Sequence, residues 1–209
     1  EHPFECLTLT FRESAEGAFV AHHYRYTRTM STFIVECDEA TWRKAGLDAM
    51  SDEASRQYCE TVFAPDLGGK PLISNKSIWR RFPLLSNARW RDGNIVLLGD
   101  ALRTMHFSIG SGTRAAFEDA IALDSAFGEA GGDVPAALAA FERIRRPVVD
   151  KLHAAANLSS YWYEKFPEKM ARFDAVGLAY DYMTRSGRLT DERLERMAPK
   201  FMAQVAAAR

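Results

Sequence analysis

The sequence predicts a chain of mixed α+β and α/β class, with an antiparallel sheet first, then a strand and helix of α/β type, then a helical region. Three observations carry this expectation. Apolar residues alternate in period two through much of the first ninety positions, the run NIVLL at 94–98 breaks that alternation, and helical spacing dominates beyond it. The boundaries that follow are 1–92 for the sheet region, 93–131 for the α/β piece and 132–209 for the helical region.

Taken in order, Phe4, Cys6, Leu7 and Leu9 alternate with Thr8, Thr10 and Arg12, then Phe19 to Tyr26 and Thr32 to Glu36 repeat the pattern. SAEG and TRTMS join these runs at hairpin length, so an antiparallel meander is the economical topology. Residues 39–46 and 51–63 read as short helices, the second capped by Ser51 with Glu53 nearby. After the Gly68-Gly69 turn, Ile78 to Leu85 reads as a strand interrupted by Trp79, Arg80 and Arg81. NIVLL has the pattern of a strand covered on both faces. Ala115, Ala116, Phe117, Ala120, Ile121 and Leu123 then line one helix, and Leu138, Phe141, Ile144, Val148 and Leu152 line a second, which Pro147 is expected to kink. The last segment, 155–209, is helix-rich, with Thr190 placed to cap and Glu195 following.

A net charge of −1 and a pI near 6.6 give no electrostatic reason to expect nucleic acid or an anionic membrane surface. No apolar run approaches the roughly 18 residues that span a bilayer, and no basic segment precedes an apolar core at the start, so a cytoplasmic protein is expected. Cys6, Cys37 and Cys59 are odd in number and widely spaced, which fits three small buried hydrophobes rather than disulfides or a zinc site. His22 and His23 are adjacent on a strand and point to opposite faces, so they cannot chelate one ion together, and no metal is expected. The chain begins with Glu1 inside what reads as strand, which suggests a piece of a longer polypeptide.

Chemistry concentrates between Gly99 and Leu123. A strand that ends in Gly99-Asp100 places a carboxylate in the crevice where α/β sheets bind ligands, suited to accept hydrogen bonds from sugar or polyol hydroxyls. Gly110, Ser111, Gly112 and Thr113 lie just before a helix whose first turn offers unpaired N–H groups and favours developing negative charge. Glycine there lets backbone lie flat against a planar ligand or take positive φ. Either motif alone reads equally as an ordinary strand exit or an ordinary cap; their ten-residue spacing makes them a pair. His106 is either a ligand-contacting or a structural hydrogen-bonding histidine.

The run Gly99-Asp100-Ala101, then Gly110-Ser111-Gly112, then Glu118-Asp119-Ala120 with Leu123, resembles the second flavin-binding motif of the flavoprotein monooxygenases typified by p-hydroxybenzoate hydroxylase. With HFSIGSGT in the turn it is most similar to the monooxygenase portion of salicylyl-CoA 5-hydroxylases and 2-aminobenzoyl-CoA monooxygenases, and more distantly to the violacein-pathway tryptophan hydroxylase. The likeness extends through STFIVE, TWRKAGL, NKSIWRRFPL, FERIRRPVV and LAYDYMTRSGRLTDERL, so it spans nearly the whole chain.

The resemblance implies that Asp100 binds the ribityl chain of FAD and that the backbone of Gly110, Ser111, Gly112 and Thr113 faces the isoalloxazine ring. It also implies NADH or NADPH as reductant, a C4a-hydroperoxide as oxygen donor, and an aromatic small molecule or aromatic acyl-CoA as substrate. His106 is then the candidate catalytic residue, and Phe107 is placed to meet substrate. His22 and Tyr24 share a sheet face with Tyr26, and because the family's sheet roofs the substrate, that face becomes a second candidate lining.

The resemblance is partial. The GxGxxG fingerprint is absent, so the missing N-terminal part of the same polypeptide is an expected partner, and this segment alone is expected to bind FAD poorly. Arg103, where relatives tend to carry His, reads as a solvated side chain, with a flavin or CoA phosphate as the alternative partner. For Arg80 and Arg81, surface salt bridges are set against a CoA phosphate. Two further readings stay open: an indole or tryptophan hydroxylase of the same fold, and a flavin-free binding module.

Overall fold

Alternation in the first forty residues produces three strands, because side chains that alternate apolar and polar can cover a core on one face only. The computed structural model describes residues 4–208. Strands β1 (Thr8–Glu13), β2 (Ala18–Arg25) and β3 (Ser31–Cys37) form the antiparallel meander in the order β1-β2-β3. The register sets His22 opposite Leu9 and Ile34, and His23 opposite Thr8 and Phe33.

Helices α1 (Glu39–Lys44), α2 (Asp52–Val62) and α3 (Ala64–Leu67) follow. Asp38 caps α1 through Thr41 N–H and Ser51 caps α2 through Ala54 N–H, each side chain accepting from a donor with no partner inside its helix. One sheet face carries Phe19 and Ala21, buried with Leu47, Phe63 and Leu67, and flanked by Phe33, Val35 and Cys37. These elements, up to Arg81, form one compact unit with Tyr163–Arg172.

The second unit comprises Phe82–Trp162 and Phe173–Arg209. It holds β4 (Arg91–Asp92), β5 (Ile95–Val96), α4 (Gly99–Leu102), a 3-10 turn at Phe107–Ile109 and α5 (Gly112–Ala130). Next comes α6 (Val134–Arg172), whose last ten residues belong to the first unit, then α7 (Ala175–Thr184), α8 (Asp191–Met197) and α9 (Pro199–Ala208). Its core gathers Trp90, Leu102, Ala126, Phe141 and Val149, with Val96, Leu97 and Leu98 against them.

Several expectations change. Residues 78–85 form no strand: Pro83 has no N–H to donate, the Trp-Arg-Arg interruption removes the alternation, and only an isolated bridge joins Ser86 to Arg103. NIVLL is not covered on both faces, because β5 is two residues long, pairs antiparallel with β4, and leaves Ile95 65 % exposed. The helix stripes are also rotated. On α5 the buried residues are Ala115, Asp119 and Ala126, while Phe117 and Ile121 are exposed. On α6, Leu138, Phe141, Arg145 and Val149 are buried and Ile144 and Val148 are not. Pro147 lies inside α6, which is unbroken from 134 to 172. Cys6 is exposed and Cys37 half-buried, so only Cys59 meets the expectation of a buried thiol; all three are free.

Candidate functional site

The Gly99-Asp100 turn is held from below by a carboxylate. Gly99 adopts φ +58°, and its N–H donates to Asp119 Oδ2 at 3.1 Å. A Cβ on Gly99 would stand 3.2 Å from Ala116 Cβ, so glycine allows both the left-handed backbone and the close approach to α5. Asp119 is fully buried, accepts a hydrogen bond from Arg145 Nε at 2.9 Å, and forms an ion pair with Arg103 Nη1 at 2.8 Å. Arg103, expected in solvent, is 4 % exposed. The reason is local: Arg103 leaves α4 in extended conformation directly beside α5, where Asp119 supplies the countercharge and the Trp90 ring lies 5.8 Å away.

Above this anchor Asp100 is exposed in the first turn of α4, and its carboxylate makes no hydrogen bond or ion pair among the described residues. The glycine loop meets the same helix. The 3-10 turn closes at Gly110, φ +60°, whose N–H donates to Phe107 O at 2.8 Å. Ser111 Oγ donates to Ile109 O, and Ser111 O accepts the Ala115 N–H at 2.9 Å, while no side chain caps α5. The first turn of α5 therefore keeps its unpaired donors and the positive end of a nineteen-residue helix. Gly112 has ordinary φ, and a Cβ placed on it would meet nothing within 4 Å, so packing within the chain does not require glycine there. An open glycine, unpaired N–H groups and an unpaired carboxylate, all fixed to α5, fit a planar ring carrying a polyol arm. Glu118, on the next turn, is held below the usual carboxylate range by its hydrogen bond from Arg114, with Arg145 adding to the effect.

His106 is buried between the Phe107 ring, stacked at 4.8 Å, and the edge of Phe82 at 5.4 Å. Its Nδ1 lies 2.7 Å from Ser108 Oγ and accepts from Ser108 N–H at 3.4 Å, capping the 3-10 turn. Ser108 Oγ lies 2.7 Å from Ser159 Oγ, and Arg185 donates to Ser159 Oγ and to Ser108 O. A cavity of about 270 Å³ opens beside this turn, lined by Ser108, Ile109, Arg185, Arg188 and Arg193 among others.

The other two substrate candidates belong to the first unit. His22 is buried, pairs with Glu36 across the strand and stacks on Tyr163 at 5.5 Å, whereas Tyr24 is exposed on the same face. His23, on the opposite face, bonds Thr10 Oγ1 at 2.8 Å and stacks on Phe33. A cavity of about 800 Å³ in this unit is bounded by β3, α2 and residues 70–79, and neither His22 nor Tyr24 lines it. Arg81 pairs with Glu39 at 2.5 Å, an exposed contact as expected. No group of three or more His, Cys, Asp or Glu side chains placed to hold a metal occurs among the described residues, and no helix there is long and apolar enough to cross a membrane.

Residues 6–156 match the family model described as FAD binding domain. Salicyloyl-CoA 5-hydroxylase of a Streptomyces species is 43 % identical over 192 residues, covering 88 % of this chain and 37 % of that protein. Protodeoxyviolaceinate monooxygenase of Chromobacterium violaceum is 46 % identical over 168 residues, covering 80 % and 45 %. The Streptosporangium sibiricum 3-hydroxy-4-methyl-anthranilyl-[aryl-carrier protein] 5-monooxygenase is 37 % identical over 191 residues, covering 91 % and 49 %. This chain thus spans less than half the length of each. Among solved structures, Pseudomonas aeruginosa PqsL, described as a probable FAD-dependent monooxygenase, shares the fold with a TM-score of 0.50 at 20 % identity, over 78 % of this chain and 46 % of its own. With the match covering the sheet, the Gly99-Asp100 turn and the glycine loop together, the chain belongs to the FAD-binding domain family.

Proposed function

We propose that this chain is part of an FAD-dependent aromatic hydroxylase whose substrate is an aromatic acyl thioester bearing an ortho hydroxyl or amino group. The observation that carries the reading is the joint anchoring of Asp100 and the open glycine loop on α5, through Gly99 and the buried Asp119. The thioester class is supported by the likeness to salicyloyl-CoA and aryl-carrier-protein enzymes. Residues 1–92 would carry the substrate-facing sheet, 93–131 the flavin-holding turn and loop, and 132–209 the helical support.

Bound FAD, reduced by NADH or NADPH, supplies the oxygen-activating chemistry. Asp100 accepts hydrogen bonds from ribityl hydroxyls, and the N–H groups of Gly112 and Thr113 favour negative charge on the ring edge they meet. Phe107 and Phe82 exclude water around His106, which contacts substrate.

The test uses the intact polypeptide that contains this segment, wild type and Asp100→Ala, with visible absorption and product analysis. The reading expects a yellow protein that pales in the variant and a hydroxylated acyl-CoA product dependent on NAD(P)H. A protein that FAD cannot colour overturns it in favour of a flavin-free binding module. The second hydroxylase reading, an indole or tryptophan-type substrate, is favoured by the 46 % identity with protodeoxyviolaceinate monooxygenase, and product from such a substrate alone would select it.

A further inference from the structure

We infer that Arg185, Ser159 and Ser108 form a one-directional hydrogen-bond relay that fixes His106 in the tautomer carrying its proton on Nε2. The relay is anchored at both ends by groups that can only donate. At one end, Arg185 Nε–H donates to Ser159 Oγ at 2.9 Å, and a guanidinium has no acceptor to offer in return. Ser159 is fully buried, and its hydroxyl hydrogen has Ser108 Oγ as acceptor at 2.7 Å. Ser108 then passes its own hydrogen to His106 Nδ1, also at 2.7 Å. At the other end, the Ser108 backbone N–H donates to the same Nδ1 at 3.4 Å, an independent reason for that nitrogen to be unprotonated. A neutral imidazole with Nδ1 as acceptor carries hydrogen on Nε2.

The arginine is itself held. Its guanidinium lies 3.7 Å from the Tyr182 ring centroid, donates to Tyr182 O at 2.7 Å, and donates through Nη2 to Ser108 O at 3.0 Å. One cation thus grips the backbone of the turn and orients the hydroxyls that reach the imidazole. Arg185, Ser159 and Ser108 are positioning residues. Resting on the hydroxylase reading, their consequence is that His106 meets its ligand as a hydrogen-bond donor, so the group it contacts is an acceptor oxygen such as a carbonyl or phenolate.

The experiment is imidazole nitrogen NMR on the intact polypeptide labelled with ¹⁵N-histidine, the His106 signals being identified by their loss in His106→Gln. The relay expects a wild-type ring with a pyridine-type Nδ1 and a pyrrole-type Nε2. It expects both signals to move toward the averaged position of exchanging tautomers in Ser159→Ala and in Arg185→Met, and to stay at the wild-type position in Ser108→Thr, which keeps the hydroxyl. A wild-type ring protonated on Nδ1 overturns the relay whether or not any variant folds, as does an unchanged pattern in both Ser159→Ala and Arg185→Met. Flavin absorption and product formation are read separately, so a colourless protein with the expected tautomer sinks the hydroxylase reading and leaves the relay standing.

Discussion

Replacing Asp119 tests whether the anchor beneath the Gly99-Asp100 turn is structural in the strong sense. Asp119→Ala removes the countercharge of the buried Arg103 guanidinium at 2.8 Å, the nearer of the two carboxylates on buried Arg145 at 2.9 Å, and the acceptor of the Gly99 N–H at 3.1 Å. Stranding a buried charge in this way costs about 3–5 kcal/mol. At about 1.4 kcal/mol per factor of ten, the folded-to-unfolded ratio falls by two orders of magnitude or more. Arg103→Met should cost less, because Asp119 keeps Arg145 and Gly99 and the new side chain suits the neighbouring Trp90 ring. Asp119→Asn should fall between them, since an amide oxygen still accepts from Gly99 while the charge is lost. Urea unfolding of the intact polypeptide, followed by circular dichroism, measures all three. A loss below about 1 kcal/mol for Asp119→Ala, the range of an exposed ion pair, would refute the argument, and so would Arg103→Met proving the most damaging.

Gly112→Ala should leave stability unchanged or raise it by up to about 1 kcal/mol, since alanine favours helix and meets nothing there, yet flavin absorption in the purified protein should drop; full retention of colour would show that the glycine is not kept open for the ring. Gly99→Ala should destabilise by about 1–3 kcal/mol, from positive φ and the Ala116 approach, read as a lower urea midpoint. Burial raises the Cys37 thiol from 9.0 to about 12 and the Cys59 thiol to about 11, so iodoacetamide at pH 8 should modify Cys6 alone, as mass spectrometry would reveal. Because those folded-state values are raised, the native state holds its thiol protons more tightly than the unfolded chain. The stability this contributes is complete below pH 9 and is lost as pH climbs toward 12; a urea midpoint that rises across that range would contradict it.

The meander, the two capped helices and the Thr190 cap were legible because each depends on neighbours in sequence: alternation, hairpin-length turns, and a polar side chain three residues before an unpaired N–H. The Gly99-Asp100 and Gly110–Thr113 segments could likewise be picked out from residue types. Asp119, Arg145, Ser159 and Arg185 received no role, because the partners that give them one lie 16 to 77 residues away along the chain. A signal existed for two of them. Asp119 interrupts the small-residue stripe of Ala115 and Ala126, and Arg145 interrupts Leu138, Phe141 and Val149, so opposite charges stand in two otherwise apolar helix stripes. Assigning the stripes to Phe117, Ile121, Ile144 and Val148 instead, the more hydrophobic choice, hid both charges. Hydrophobicity alone also misled at 78–85, where apolar residues sit in irregular chain without strand partners.

The division of α6 sets an order in time. The first unit is closed by Tyr163–Arg172, where Phe166 packs on Phe11 and Tyr163 on His22, yet the rest of that unit ends at Arg81. During synthesis, about 90 residues must therefore be added after the last of its other residues before the unit can be completed, some 5–20 s at ordinary rates of elongation. Through that interval the meander has an apolar face without its native cover. Slowing translation within that span should increase the need for chaperones and leave the finished protein unchanged.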